Sequence, residues 1–492
     1  MRHPLVYEIH LRSWLRRLSV ACGRSVTLGR VPEEEFERWA GLGFTHVWLM
    51  GVWPTGPKSR AVALADDRVR AAAREALPDV EEADILGSPF AVAEYRVPRE
   101  GGGDAGLRRF RKQLHRHGIG LLLDFIPNQV GLDHPWLGTA PQRFVALAAG
   151  AGGGFDCETA GGVVRLAHGR DPNFPPWADT VQLDYRLEET RGAVLGELES
   201  VADRCDGVRC DLAMLVLNEV FERTWGQAAD AQPMPAREFW SEAIASIKRR
   251  RRDFLFLAEA YWNLEARLQH LGFDYTYDKR LYDLLLARDF PAVQRHLVGK
   301  PLEYVSAGAH FLENHDEPRI ASLLSPTEHA AAAWVTLGLP GLRLLHDGQP
   351  GGLCLPAPIH LGREPVETPQ ADLAAMYERF LGVMRESAVG QGEARVLMPR
   401  PAWNDNPTWQ HFVVVAWRGP APQWDLVVVN LAPHPGQCYV PLPIADLGDC
   451  NWRMRDLLGA ECYERYGEDL QNQGLYLDVG ANGVQLFRFE PV

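Results

Sequence analysis

Apolar residues along the chain gather in short runs, separated by longer stretches with helical spacing. The runs are "LVYEIHL" from residue 5, "THVWLM" from 45, "IGLLLDF" from 119, "GVRCDL" from 207, "DFLFLAEA" from 253, "GFDYTYD" from 272, "AHFLENHD" from 309 and "GLRLLHDGQ" from 341. Between them, "PEEEFERWAGL", "AGLRRFRKQLHRHG", "RGAVLGELESVADRC" and "AREFWSEAIASIKRRRR" repeat apolar residues at the spacing of a helix with one buried face. Strands that alternate with helices pair in parallel through crossover helices, and eight such units predict a closed (β/α)₈ barrel.

Two regions break the alternation. Residues 129–186 contain "GLDHPWLGTAPQ", "GAGGGFDCETAGG" and "RDPNFPPWADT", too rich in Gly and Pro for one helix. They read as an excursion inserted after the third strand, and loops of that length are usually functional or disordered. After about residue 392 come "HFVVVAWRG", "WDLVVVNLAP", "CYVPLP" and "GVQLFRFE", short β-rich runs between turn signals. The expected organisation is an α/β chain: a barrel over 1–128 and 187–392, a loop-rich subdomain over 129–186, and a C-terminal antiparallel β-sandwich over 393–492.

In such a barrel the chemistry sits at the C-terminal ends of the strands. Those ends are selective here. The third carries Asp124, the fourth Arg209 and Asp211, the fifth Glu259, and the seventh Asn314, His315 and Asp316. Residues two apart on a strand share a face, so Arg209 and Asp211 stand side by side. A lone carboxylate there has a structural explanation, as a helix cap or an ion-pair partner. Asp211, Glu259 and Asp316 together do not, because acids facing one cavity raise one another's pKa and contribute nothing to folding. Two carboxylates about 5–5.5 Å apart are what retaining cleavage of a glycosidic bond needs, one as nucleophile and one as acid, then base. On this reading Arg209 keeps Asp211 charged.

Composition narrows the field. The 492 residues are 46% hydrophobic, ample for a large core, and the net charge of −13 argues against nucleic-acid binding. Fifteen Trp and 13 Tyr provide aromatic faces on which sugar rings stack. The opening "MRHPLVYEIHLRSWL" lacks a signal-peptide pattern, and no apolar run reaches the length of a membrane span. Eight cysteines occur without CxxC or zinc-like spacing, which suits reduced thiols in a cytoplasm. The expected partner is an oligosaccharide or small glucoside, with no nucleic acid and no membrane; the oligomeric state is left open.

"DFIPNQ", "GVRCD", "FLAEAYW" and "ENHDE" resemble, in order and spacing, the four short motifs of the α-amylase family of glycoside hydrolases. The resemblance implies Asp211 as nucleophile, Glu259 as general acid/base and Asp316 as the third acid, which binds sugar hydroxyls. It implies Arg209 and His315 as substrate-pocket residues and Asp124 as their support. "GSPFAVAEY" resembles the loop bearing the sugar-stacking aromatic, which puts Phe90 there. A tyrosine on the first strand is common in that family; Tyr7 and His10 both stand near. Trp262, just after the acid motif, is a candidate to face a sugar. No cofactor is required, although relatives often hold calcium, for which Asn128 and Asp184 are the candidate ligands.

The chain also departs from the family. Gln129 stands where a histidine that touches the sugar's primary hydroxyl is usual. "LAMLVLNE" after the nucleophile is apolar where many starch hydrolases carry a Lys-His pair. The expected activity is hydrolysis of α-glucosidic bonds in malto-oligosaccharides, glycogen fragments or small glucosides, with transglycosylation by the same residues as the alternative. A non-catalytic binding barrel would be expected to lack one of the acids. A metal-dependent hydrolase would need ligands beyond His10, His315 and His346, the only strand-end histidines.

Overall fold

The computed structural model describes residues 3–159, 161–228, 232–420 and 423–492. Eight parallel strands close a barrel: β1 (Leu5–His10), β2 (His46–Met50), β3 (Gly120–Phe125), β4 (Gly207–Cys210), β5 (Leu255–Ala258), β6 (Tyr275–Tyr277), β7 (Gly308–His310) and β8 (Leu342–His346). Each pairs with its sequence neighbours, and β8 closes onto β1. The helices expected from the apolar spacing form at Glu33–Gly41, Gly103–Arg116, Glu188–Ala202 and Phe239–Arg250.

Alternation along the strands builds two cores. Val6, Trp48, Leu122, Leu257, Tyr277 and Leu344 point inward and fill the barrel. Tyr7, Val47, Leu121, Leu123, Val208 and Phe256 point outward beneath the helices. The apolar plug fills the lower barrel, so the inward polar residues nearer the strand ends form the floor of its mouth.

The excursion begins with Gln129–Gly131 paired to Thr180–Gln182, and carries a hairpin of Gly154–Thr159 with Gly162–Ala167. The C-terminal region stacks a six-stranded antiparallel sheet on a three-stranded one. Phe412, Val414, Leu426 and Val428 face Cys438, Val440 and Leu477 across the sandwich. The other face of the large sheet, with Val413, Val415, Trp417 and Val427, joins the barrel's core. Trp417 Nε1 donates to Gly338 O at 2.9 Å, at the end of the helix Pro326–Gly338. Burial on both faces explains why these strands read as unbroken valine runs rather than as an alternation. Among the described residues no helix is long and apolar enough to cross a membrane.

Candidate active site

The strand ladder carries two acids to the barrel mouth and fixes their backbones. Asp211 N donates to Phe125 O at 2.9 Å and Glu259 N to Cys210 O at 3.0 Å, each one residue beyond its strand. Asp316 arrives differently, six residues past β7. There the Asn314 side chain accepts from the N–H groups of Asp316 and Glu317 at 2.9 and 3.0 Å, a local turn that presents Asp316 to the mouth. All three acids line one cavity of about 540 Å³, together with Phe90, Gln129 and His360.

Arg209 organises the floor. It is fully buried, and its Nη1 donates to Asp211 Oδ1 at 2.8 Å while its Nη2 donates to Glu259 Oε2 at 2.6 Å. Asp124, its register partner on β3, lies 3.5 Å from Nη1. Its guanidinium carbon sits 5.2–5.8 Å from the ring centres of Phe90, Trp48 and Tyr277. One cation thus serves three carboxylates.

Arg209 favours the charged form of Asp211, as expected, but burial outweighs its pull. Burial lifts the Asp211 carboxyl to about 7, with Arg209 pulling against it and Glu259 and Asp124 adding like charge. Burial also lifts Asp124 to about 6. Glu259 is held at both oxygens: Oε2 also accepts from Leu212 N at 2.8 Å, and Oε1 accepts from Tyr261 OH at 2.8 Å. Arg209 thus ties the two carboxyls to one cation.

Asp316, with its side chain 41% exposed, loses some solvation at the cleft wall, and against that loss the His315 cation holds its carboxyl at about 2. Burial alone would neutralise His315; Asp316 and Glu8 on its two sides outweigh it and keep the imidazole charged. Its Nδ1 faces Glu8 Oε1, and its Nε2 lies 3.1 Å from Asp316 Oδ2, out of line for a hydrogen bond. His315 therefore sits behind the cleft, 5.4 Å from the Phe90 ring, rather than along its open wall. Glu8, buried and inward on β1, escaped the sequence reading, although the same alternation that pairs Arg209 with Asp211 would have found it.

Other expected residues separate clearly. Gln129 lines the cavity while its side-chain carbonyl accepts from Asn128 Nδ2 at 2.8 Å. Tyr7 does not reach the cleft: it points outward, packs on Trp39 and Phe44, and donates to Asp347 Oδ1 at 2.6 Å. His10 is buried on the inward side beside Gly51, with Ser13 3.2 Å from its Nδ1. Trp262 lines a neighbouring hollow of about 760 Å³ with Tyr261, Phe174 and Trp177. Phe174 is 66% exposed and borders both hollows, a feature that periodicity inside a Pro-rich loop does not reveal. The backbone is left-handed at Leu212 (φ 37°), next to Asp211, and at Trp262 (φ 63°) and Asn263 (φ 60°), three and four residues after Glu259. Strain of this kind concentrates at functional sites.

The residues named for calcium do not fit it. Arg186 takes both oxygens of Asp184 at 2.6 and 2.8 Å, and Asn128 is engaged by Gln182 through its carbonyl and its amide. Calcium asks for six to eight oxygen ligands, and among the described residues no three His, Cys, Asp or Glu side chains gather as a metal would require.

No family model matches the sequence. The α-amylase MalA of Haloarcula japonica is 24% identical over 264 residues, 52% of this chain and 35% of that protein. The match thus spans about a third of the curated relative's length. The maltogenic α-amylase AmyB of Thermotoga neapolitana superposes with a TM-score of 0.68 at 18% identity, covering 99% of both chains. An α-amylase from Lactobacillus plantarum does so at 0.68 and 19%, again over 99% of both. Trehalose-6-phosphate hydrolase of Bacillus licheniformis gives 0.67 at 13% identity over 99% of each chain. From its first barrel strand to the last strand of its sandwich, the chain has the fold of the α-amylases.

Proposed function

We propose that the protein is a retaining glycosidase that cleaves α-glucosidic bonds in malto-oligosaccharides, glycogen fragments or small α-glucosides. The observation that carries this reading is the convergence of Asp211, Glu259 and Asp316 on one cavity, with Arg209 bridging the first two. Asp211 gives Oδ1 to Arg209, which leaves Oδ2 to attack the anomeric carbon. The oxygen of Glu259 that can present a proton to the leaving group is Oε1, because the Tyr261 hydroxyl facing it can turn from donor to acceptor, whereas Leu212 N–H and Arg209 at Oε2 cannot.

As the glycosidic bond breaks, Glu259 protonates the leaving oxygen and Asp211 becomes a glycosyl ester. Glu259, now a carboxylate, takes a proton from water; the resulting attack frees Asp211 and restores the starting configuration. Asp316 accepts hydrogen bonds from the sugar's hydroxyls, and Phe90 stacks against the ring. The test is product analysis on maltose, maltotriose, trehalose, sucrose and glycogen, with Asp211→Asn as the control. Release of glucose or maltose by the wild type alone is expected; absence of turnover on every member would overturn the reading.

A second reading uses the same residues. Leu212, Phe174, Trp177 and Trp262 line the hollow beside the acid, an apolar and aromatic surface suited to hold an acceptor sugar in place of water. Elongated products in the same panel would mark a transglycosylase. The eight cysteines are free thiols, which supports a reducing compartment such as the cytoplasm.

A further inference from the structure

The two hollows that meet at Leu212 and Asp316 are bounded differently. The larger passes Trp262 toward the exposed Arg280. The smaller, past Phe90, is bordered by a wall assembled from the helices Pro57–Ala65 and Asp67–Ala76, the loop 82–88 that follows them, and the loop 358–362 after β8. Val62, Ala63, Asp66, Val69, Ile359 and His360 are the faces this wall turns to the cavity.

The pieces are joined edge to edge. Leu86 N donates to His360 O at 2.7 Å and Gly362 N to Asp84 O at 2.8 Å, on either side of a β-bridge between Ile85 and Leu361. Arg363 adds an ion pair to Asp84 at 3.0 Å and donates to Asp79 O at 3.0 Å. At the far end, the Asp133 carboxylate accepts from the N–H groups of Lys58 and Ser59 at 2.9 and 3.1 Å, and Ser59 Oγ donates to Asp179 O at 2.7 Å. The helix is thereby fastened to the excursion. Ala63, Ala73, Ala76, Leu77, Ile85 and Leu361 form a small apolar core of their own, separate from the barrel's cores. A wall with its own core and its backbone groups paired across the seam does not part to admit a chain.

The acid sets the direction of the substrate. Glu259 must face the leaving group, and the residues that follow it, Tyr261, Trp262 and Asn263, line the larger hollow. The leaving group therefore takes the larger hollow, and the sugar that becomes bonded to Asp211 takes the smaller one. In an α-glucan, everything beyond that sugar belongs to the non-reducing end. We propose that the wall makes the enzyme exo-acting: it admits only the non-reducing terminus of a chain, and internal bonds of longer glucans are out of its reach. This rests on the glycosidase reading above.

The test compares maltopentaose with maltopentaose whose non-reducing glucose carries a 4,6-O-benzylidene group, using the full-length wild-type protein and chromatography of early products. Maltopentaose should be shortened with one product size released from its non-reducing end, and the blocked chain should react at least 100-fold more slowly. Comparable rates on the two, or an early ladder of product sizes, would overturn the wall and leave the glycosidase reading standing. If neither is cleaved, the glycosidase reading fails, and calorimetric titration with maltotriose and its end-blocked form decides the wall. Binding of the free form alone upholds it; equal binding, or none of either, overturns it.

Discussion

Replacing Asp211 by Asn should abolish turnover and, at alkaline pH, stabilise the protein. Asp211 is 5% exposed, and burial moves its carboxyl from the ordinary 3.8 to about 7, against Arg209 and with Glu259 and Asp124 adding repulsion. A carboxyl whose folded pKa lies above its unfolded value binds more protons folded than unfolded between those two values. Its ionisation therefore costs nothing below about pH 4, costs increasingly as pH rises, and costs the full amount above about 7. Three decades of proton affinity at 1.36 kcal/mol each set a ceiling of about 4 kcal/mol at pH 8. Asp211 borders the open cavity, where solvent screens part of that cost, so the expected gain is about 1–3 kcal/mol. Asparagine keeps the side chain's shape and an oxygen for Arg209 Nη1, while Arg209 stays paired with Glu259. Thermal unfolding followed by circular dichroism at pH 8 and pH 4.5 provides the assay. With about 1 kcal/mol/K of unfolding entropy for a chain of this length, the variant should melt roughly 1–3 °C higher at pH 8 and less than about 1 °C higher at pH 4.5. A gain of equal size at both values, or a loss at pH 8, would refute the argument that burial and like charge raise Asp211.

Glu259→Gln should lower kcat/KM on maltose by roughly 10²–10⁴-fold, and much less on aryl glucosides with acidic leaving groups, which need no proton; equal losses would remove Glu259 as the acid. Tyr261→Phe deletes the hydroxyl on Glu259 Oε1 and should lower kcat about 10-fold with KM little changed; an effect on KM alone would contradict that role. Phe174→Ala, at a 66% exposed position, should raise KM for oligosaccharides several-fold and alter stability by no more than about 0.5 kcal/mol in chemical denaturation; an unchanged KM would exclude stacking there. Arg209→Met leaves buried carboxylates without their cation and should cost about 3–5 kcal/mol of stability near neutral pH; a neutral effect would mean those acids are already protonated.

The barrel was legible because parallel strands buried on both faces announce themselves as apolar runs between helical spacings. All eight runs became barrel strands, and Asp124, Asp211, Glu259 and Asp316 stood out because their ends carry charge where the pattern asks for apolar residues. Between Tyr7 and His10, both raised by a family habit, the strand's own alternation decides: it turns Val6, Glu8 and His10 inward and Tyr7 outward. The sharing of Arg209 among three acids was not readable, since Asp124 and Glu259 are neighbours across strands and not along one. Nor was the wall that borders the smaller hollow. Its meaning comes from a seam with residues 358–362, nearly 300 positions away.

The central claim is that Asp211 bonds covalently to the sugar during turnover. Incubating the protein with 5-fluoro-α-D-glucosyl fluoride, which slows release of the intermediate, followed by proteolysis and mass spectrometry, tests it directly. The account predicts one added fluoroglucosyl group on the peptide containing Asp211, absent from Asp211→Asn. A label on Glu259 or Asp316, or turnover with inverted product and no label at all, would contradict it.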